Sequence, residues 1–72
     1  MKTFGKVKQF DGYNGYIKGV DGEDYLLMSR EIVSPHIIYE NDNVFFEPDR
    51  FDTVETHEYI ARFVKKLEKK SK

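Results

Sequence analysis

The sequence has no cysteine and no tryptophan among its 72 residues, and it contains only two prolines. Without cysteine the fold has no disulfide, no thiolate nucleophile and no cysteine-ligated zinc. No apolar run approaches the roughly 20 residues that span a bilayer, and the chain does not begin with the pattern of a signal peptide. We therefore expect one small cytoplasmic domain without a membrane contact, stabilised by backbone pairing and an apolar core.

The net charge of −1 conceals an uneven distribution of charge along the chain. Residues 1–20 hold four lysines and one aspartate, and residues 61–72 hold one arginine, five lysines and one glutamate. Residues 21–60 hold eleven acidic residues and two arginines. If the two basic ends meet in space, the domain presents one positive face, which suits a polyanion. A solvated surface with a lysine-rich tail explains the same counts equally well.

Turn-forming pairs recur at short intervals and separate short runs that are apolar or alternate with polar residues. Examples are Asp11-Gly12, Asn14-Gly15 and Asp21-Gly22. This pattern is typical of all-β barrels and sandwiches. It predicts strands at residues 3–10, 14–20, 25–28, 43–47 and 58–67. The folded domain is then residues 1–67, and residues 68–72 form a basic disordered tail.

The segment at 58–67 also fits a helix. Ile60, Phe63, Val64 and Leu67 recur at the spacing of an amphipathic helical stripe. We predict a strand, because a barrel of four strands leaves open edges and because β-branched and aromatic residues suit a closing strand.

The register of the first predicted hairpin decides which side chains share a face. A three-residue loop at residues 11–13 separates an aliphatic face from a basic aromatic face more cleanly than a two-residue loop does. It pairs Val7 with Ile17, Lys8 with Tyr16, Lys6 with Lys18, and Phe10 with Asn14. The face opposite the core then carries Lys6, Lys8, Phe10, Tyr16 and Lys18.

Several segments in order resemble the cold-shock domain. These are Gly5-Lys6-Val7-Lys8-Gln9-Phe10, then Gly15-Tyr16-Ile17, then Asp21-Gly22 before a further strand. Downstream, the matching positions are Glu40, Val44, Phe46, Glu47, Ala61 and Val64. The resemblance covers nearly the whole chain and implies an all-β, five-stranded antiparallel OB-fold barrel. It also implies non-catalytic binding of single-stranded RNA or DNA, with a role in transcription or translation.

The candidate site combines cations for phosphates with flat or apolar side chains for bases. We expect Lys6, Lys8 and Lys18 to contact phosphates, Phe10, Tyr13 and Tyr16 to stack on bases, and Leu26 and Met28 to add apolar contact. Any one of these aromatic residues could simply pack in the core. An aromatic residue that shares its face with three lysines is harder to explain by packing.

The sequence departs from the cold-shock pattern at several stacking positions. Gln9 stands at the tryptophan position, Asn14 at a phenylalanine position, and Leu26, Met28 and Ser29 at the positions of phenylalanine, histidine and phenylalanine. Each lost stack costs about 1–3 kcal/mol, so the resemblance implies weakened binding. A second hypothesis is therefore a protein-interaction module or weak homodimer that uses Tyr16, Phe10, Leu26 and Met28 as an apolar patch.

The remaining polar residues give no sign of an enzyme, and we expect no cofactor. His36 and His57 lack the spacing of metal ligands, although His36 falls in a loop where the cold-shock family often places a base-contacting residue. Asp49, Asp52, Glu55 and Glu58 fall in what the sequence predicts to be a polar, solvated loop.

Overall fold

Five strands close into a barrel in the computed structural model, which describes residues 2–33, 35 and 37–67. The strands are β1 (Thr3–Phe10), β2 (Asn14–Gly19), β3 (Asp24–Met28), β4 (Asn43–Asp52) and β5 (His57–Lys66), and a short 3-10 turn (Ser29–Glu31) follows β3. Their order around the barrel is β1-β2-β3-β5-β4, with β4 returning to β1. The predicted all-β OB-type barrel is confirmed, with one correction. The pairing is mixed rather than purely antiparallel, because β3 and β5 run parallel where Leu26 lies opposite Ile60.

The C-terminal segment is a strand, as predicted, and not a helix. It pairs with β4 over most of its length, from Asp52 opposite His57 to Val44 opposite Lys66. The predicted end of β4 at residue 47 is wrong, because the strand continues through Pro48 to Asp52. Asp49 and Asp52 therefore lie in a long hairpin, and only residues 53–56 connect its strands. The predicted tail at 68–72 and His36 lie outside the described residues.

Inward-facing residues of all five strands form the core. Alternation along each strand points every second side chain inward, which is why β1 buries Val7 while Lys6 and Lys8 are exposed. Tyr25 and Phe46 are the largest buried side chains, and their ring centroids are 4.9 Å apart. The fully buried apolar residues are Val7, Ile17, Tyr25, Leu27, Val44, Phe46, Ala61 and Val64.

The first hairpin confirms one half of the predicted register and corrects the other. Val7 pairs with Ile17 and Lys6 with Lys18, as predicted, but the register then shifts between Val7 and Gln9. A β-bulge at this point adds one residue to β1, so that Gln9, and not Lys8, lies opposite Tyr16. Phe10 consequently lies opposite Gly15 and not Asn14, and its half-buried ring packs against the core. The prediction that Phe10 shares the outer face with Tyr16 is therefore wrong.

A cluster around Tyr25 fastens the β4–β5 hairpin to the loop that follows β2. The Tyr25 hydroxyl donates to Asp21 Oδ2 at 2.7 Å and accepts from Arg50 Nη2 at 2.7 Å. Arg50 Nη2 also lies 2.6 Å from Asp21 Oδ2, and its guanidinium carbon lies 5.4 Å from the ring centroid of Tyr59. The cluster joins residues 21–25 to the β4–β5 hairpin, which is distant from them in the sequence.

The pKa of Asp21 reflects this cluster. Its partial burial would by itself raise the pKa of the carboxyl, but the backbone N–H of Glu23, the Tyr25 hydroxyl and the positive charge of Arg50 together lower it below its ordinary value. A carboxyl whose pKa is lower in the folded than in the unfolded state stabilises the fold above its unfolded pKa. That contribution disappears as the pH falls through the folded pKa.

Gly15 is required by the close approach of β1 and β2 beside the bulge. A Cβ atom at this position would collide with the backbone carbonyl of Gln9, which cannot move without breaking the hairpin. We expect Gly15→Ala to destabilise the domain by about 1–3 kcal/mol. The measurement is the urea midpoint of unfolding. Gln9→Ala is the control, because removing this exposed side chain should change stability by less than about 0.5 kcal/mol. Equal urea midpoints for Gly15→Ala and wild type would contradict the bulge geometry.

Asp21→Asn should reduce stability at neutral pH, because an amide gains less than a carboxylate from the charge of Arg50. The stability difference between wild type and variant should shrink as the pH falls below the ordinary aspartate value of 3.8 and Asp21 becomes protonated. Urea unfolding of both proteins at pH 7 and pH 3 measures this difference. A difference of the same size at both pH values would show that the charge of Asp21 does not contribute.

Candidate nucleic-acid interface

The outer face of β1, β2 and β3 brings most of the predicted site residues together. Directly paired strand residues point to the same side of the sheet, so the register defines rows across it. One row holds Gln9, Tyr16 and Leu26, and the next along the strands holds Lys6, Lys18 and Asp24. A third, at the other side of Tyr16, holds Asn14 and Met28. We call this surface, together with Lys8 in the bulge, the platform.

Tyr16 lies at the centre of the platform and is accessible to a ligand. Its side chain is 38% exposed and that of Leu26 is 39% exposed, whereas the next residue along β2, Ile17, is fully buried. Met28 is half-buried at the end of β3. The platform therefore offers one aromatic ring with an aliphatic neighbour.

Tyr13 stands beside the platform at the tip of the first hairpin. It is 74% exposed, and its backbone carbonyl accepts a hydrogen bond from the Ser29 N–H at the end of β3. The Asp11 carboxylate accepts the N–H groups of Tyr13 and Asn14, each at 2.8 Å. These hydrogen bonds lower the pKa of Asp11. Hydrogen bonds thus fix both the N–H and the carbonyl of Tyr13, while its ring is exposed to solvent.

The three platform lysines differ in their partners. Lys18 Nζ lies 3.1 Å from Asp24 Oδ1 and 3.4 Å from the Gly22 carbonyl oxygen, so its ammonium group is directed toward β3 and away from β1. This direction reduces the repulsion from Lys6 on the opposite strand. Within the part of the chain that the structure describes, Lys6 and Lys8 form no ion pair. Their ammonium groups are available to an anionic ligand.

Phe10 lies apart from the other predicted site residues. It lies on the other face of β1 and lines a groove of about 770 Å³ together with Ile32, Ile37 and Tyr39. The bulge at Lys8 turns the Phe10 side chain away from the platform. No turn-forming residue in the sequence indicates this bulge. Arg30 lies near the platform but was not among the predicted site residues. This exposed cation follows Ser29 beside the hairpin tip and has no ion pair among the described residues.

Other polar groups are engaged in structural contacts. His57 Nδ1 lies 3.2 Å from Asp52 Oδ1, and its ring centroid lies 4.5 Å from that of Tyr59. Arg62 bridges Asp49 and Glu31 at 2.9 and 2.7 Å. Residues 2–33, 35 and 37–67 contain no group of three His, Cys, Asp or Glu side chains that could hold a metal ion. Within the same ranges no helix has the length and apolar character needed to cross a bilayer.

Comparison with known proteins relates this barrel to the cold-shock fold. No family model matches the sequence, and no curated protein matches it. Among solved structures, the barrel is similar to Drosophila Unr CSD456, a segment with cold-shock domains 4–6, with a TM-score of 0.75 and 17% sequence identity. The similarity covers 94% of this chain and 27% of that one, so the chain spans about a quarter of the Unr segment. The chain therefore has the fold of a cold-shock domain, as its sequence resemblance predicts.

Proposed function

We propose that the domain binds single-stranded RNA or DNA on the platform, without catalysis. The observation that carries the proposal is the position of Tyr16. Its ring is exposed at the centre of the sheet, two residues from Lys18 on the same face and across from the Lys8–Gln9 bulge. A single strand exposes both base faces and phosphates, and this surface offers a contact for each. The cold-shock fold supports the same conclusion.

The chemistry of the platform favours weak binding with little base selectivity. A base stacks on the Tyr16 ring and also contacts the Leu26 side chain, while Lys6 and Lys8 contact the adjacent phosphates. Stacking on one aromatic ring does not depend on base identity, because every base has a π-face. A domain of this kind would hold RNA in single-stranded form and so influence transcription or translation.

A second candidate function is contact with another protein. The row of Tyr16 and Leu26 continues onto Ile60 of β5, and this aliphatic continuation would suit a partner protein or a second copy of the chain. Salt distinguishes the two functions. Phosphate contacts weaken as salt increases, in proportion to the charges neutralised, whereas an apolar protein contact responds little.

The double variant Tyr16→Ala, Lys8→Ala should lose the response to oligonucleotides while remaining folded, because both side chains are exposed. The measurement is a titration with oligo-dT or oligo-U at low salt, followed by amide chemical shifts. For the wild type, the logarithm of the affinity should fall linearly with the logarithm of salt concentration, with a slope near −0.7 per phosphate contacted. Wild-type binding retained by the double variant would contradict the assignment of the platform.

Gln9→Trp should strengthen binding. Gln9 is exposed and lies directly opposite Tyr16, so an indole there would add a second stacking surface to the same row. One additional stacked base contributes about 1–3 kcal/mol, which corresponds to at least about a fivefold lower Kd. Phe51→Trp is the matched control, because it places the same indole at an exposed position outside the platform. Equal Kd values for Gln9→Trp and wild type would show that no base binds beside position 9, contrary to the proposed site.

A further inference from the structure

A second exposed aromatic patch lies on the outer surface of the barrel, beyond the lysine row of the platform. Phe4 of β1 pairs with Phe45 of β4, and their ring centroids are 6.1 Å apart. Phe45 in turn pairs with Lys65 of β5, and the Val20 N–H donates to the Phe4 carbonyl on the other side. We call Phe4, Phe45, Val20 and Lys65 the Phe4 patch. None of its members belongs to the predicted site.

Phe4, in β1, and Val20, just after β2, are the members of the Phe4 patch that are most open to solvent among its apolar residues. Phe4 is 53% exposed and Val20 is 73% exposed, so packing in the core does not account for an apolar side chain at either position. Both line a groove of about 550 Å³ whose other walls include Lys6, Lys18 and Leu67. The groove therefore joins Phe4 and Val20 directly to Lys6 and Lys18 of the platform.

The charges around the groove favour a polyanion as its occupant. Lys6 lies between Tyr16 and Phe4 on this surface, and Lys65 lies beyond Phe45. In the described ranges neither lysine has an ion pair. A second copy of the chain placed symmetrically on this face would bring these lysines toward their equivalents. An anionic strand would instead pass from one cation to the next.

The dimensions of the surface suit a continuous strand. Tyr16 and Val20 are four residues apart and are separated by the Lys18 row of the outer face, which gives a distance of about 13 Å at 3.3 Å per residue. A stacked strand rises about 3.4 Å per nucleotide, so this distance corresponds to about four nucleotides. We propose that a bound single strand continues from the platform past Lys6 and Lys18 onto the Phe4 patch. There a base contacts Phe4 and a phosphate contacts Lys65. This inference rests on the proposed function and extends its site.

The test compares oligothymidines of two and of twelve nucleotides. Phe4→Ala should weaken binding of the twelve-nucleotide strand about tenfold and leave the two-nucleotide strand, which is too short to reach from Tyr16 to the Phe4 patch, unchanged. Lys65→Ala should make the salt dependence of binding to the twelve-nucleotide strand less steep, by an amount equivalent to about one phosphate contact. Phe51→Ala is the matched control, because it removes an aromatic ring that is 62% exposed on the β4–β5 hairpin, paired with Glu58. It should leave both affinities unchanged.

The possible failures are distinguishable. If Tyr16→Ala weakens both strands while Phe4→Ala and Lys65→Ala bind both as wild type does, the extended path is wrong and the platform remains. If wild type binds neither strand, or binds both without dependence on Tyr16 and Lys8, the proposed function fails and the extended path fails with it. If Phe4→Ala abolishes self-association in sedimentation without changing strand affinity, the patch contacts protein, and the extended path is likewise overturned.

Discussion

The inward pairing of Val7 with Ile17 is the constraint on which the rest of the surface depends. Both side chains are fully buried at facing positions of the first hairpin. Because side chains alternate along a strand, burying this pair directs Lys6, Lys18 and Tyr16 to the opposite face. A slip of one residue in either strand would place an ammonium group in the core. The energy of the apolar core therefore holds the cationic and aromatic groups on one surface.

The bulge at Lys8 modifies this alternation at one position. It keeps two consecutive residues of β1, Lys8 and Gln9, on the exposed side and returns Phe10 to the interior side. The platform thereby gains a position opposite Tyr16 and loses an aromatic ring. Gly15 permits the close backbone contact that this arrangement requires. The composition of the platform thus depends on a backbone irregularity as well as on residue type.

The barrel, the inward pair Val7 and Ile17 and most of the platform could be predicted from the sequence, because turn-forming pairs and alternation of period two determine them. The parts that could not be predicted depend on contacts between distant segments. Pro48 and the acidic residues after it suggest a loop, but pairing with β5 and the hydrogen bonds of Arg50 to Tyr25 and Asp21 extend β4 to Asp52. The side taken by Phe10 depends on the bulge. The exposure of Phe4 depends on the pairing of β1 with β4, which no local pattern indicates.

The proposed function requires that bases stack on the exposed ring of Tyr16 within a lysine-bearing face. Its most direct test is the measurement of intermolecular nuclear Overhauser effects between the Tyr16 ring protons and the base protons of a bound oligo-dT at low salt. We predict contacts from base protons to Tyr16 and to the methyl groups of Leu26. Contacts only with residues of the β4–β5 hairpin, such as Phe51 and Val54, would contradict the account.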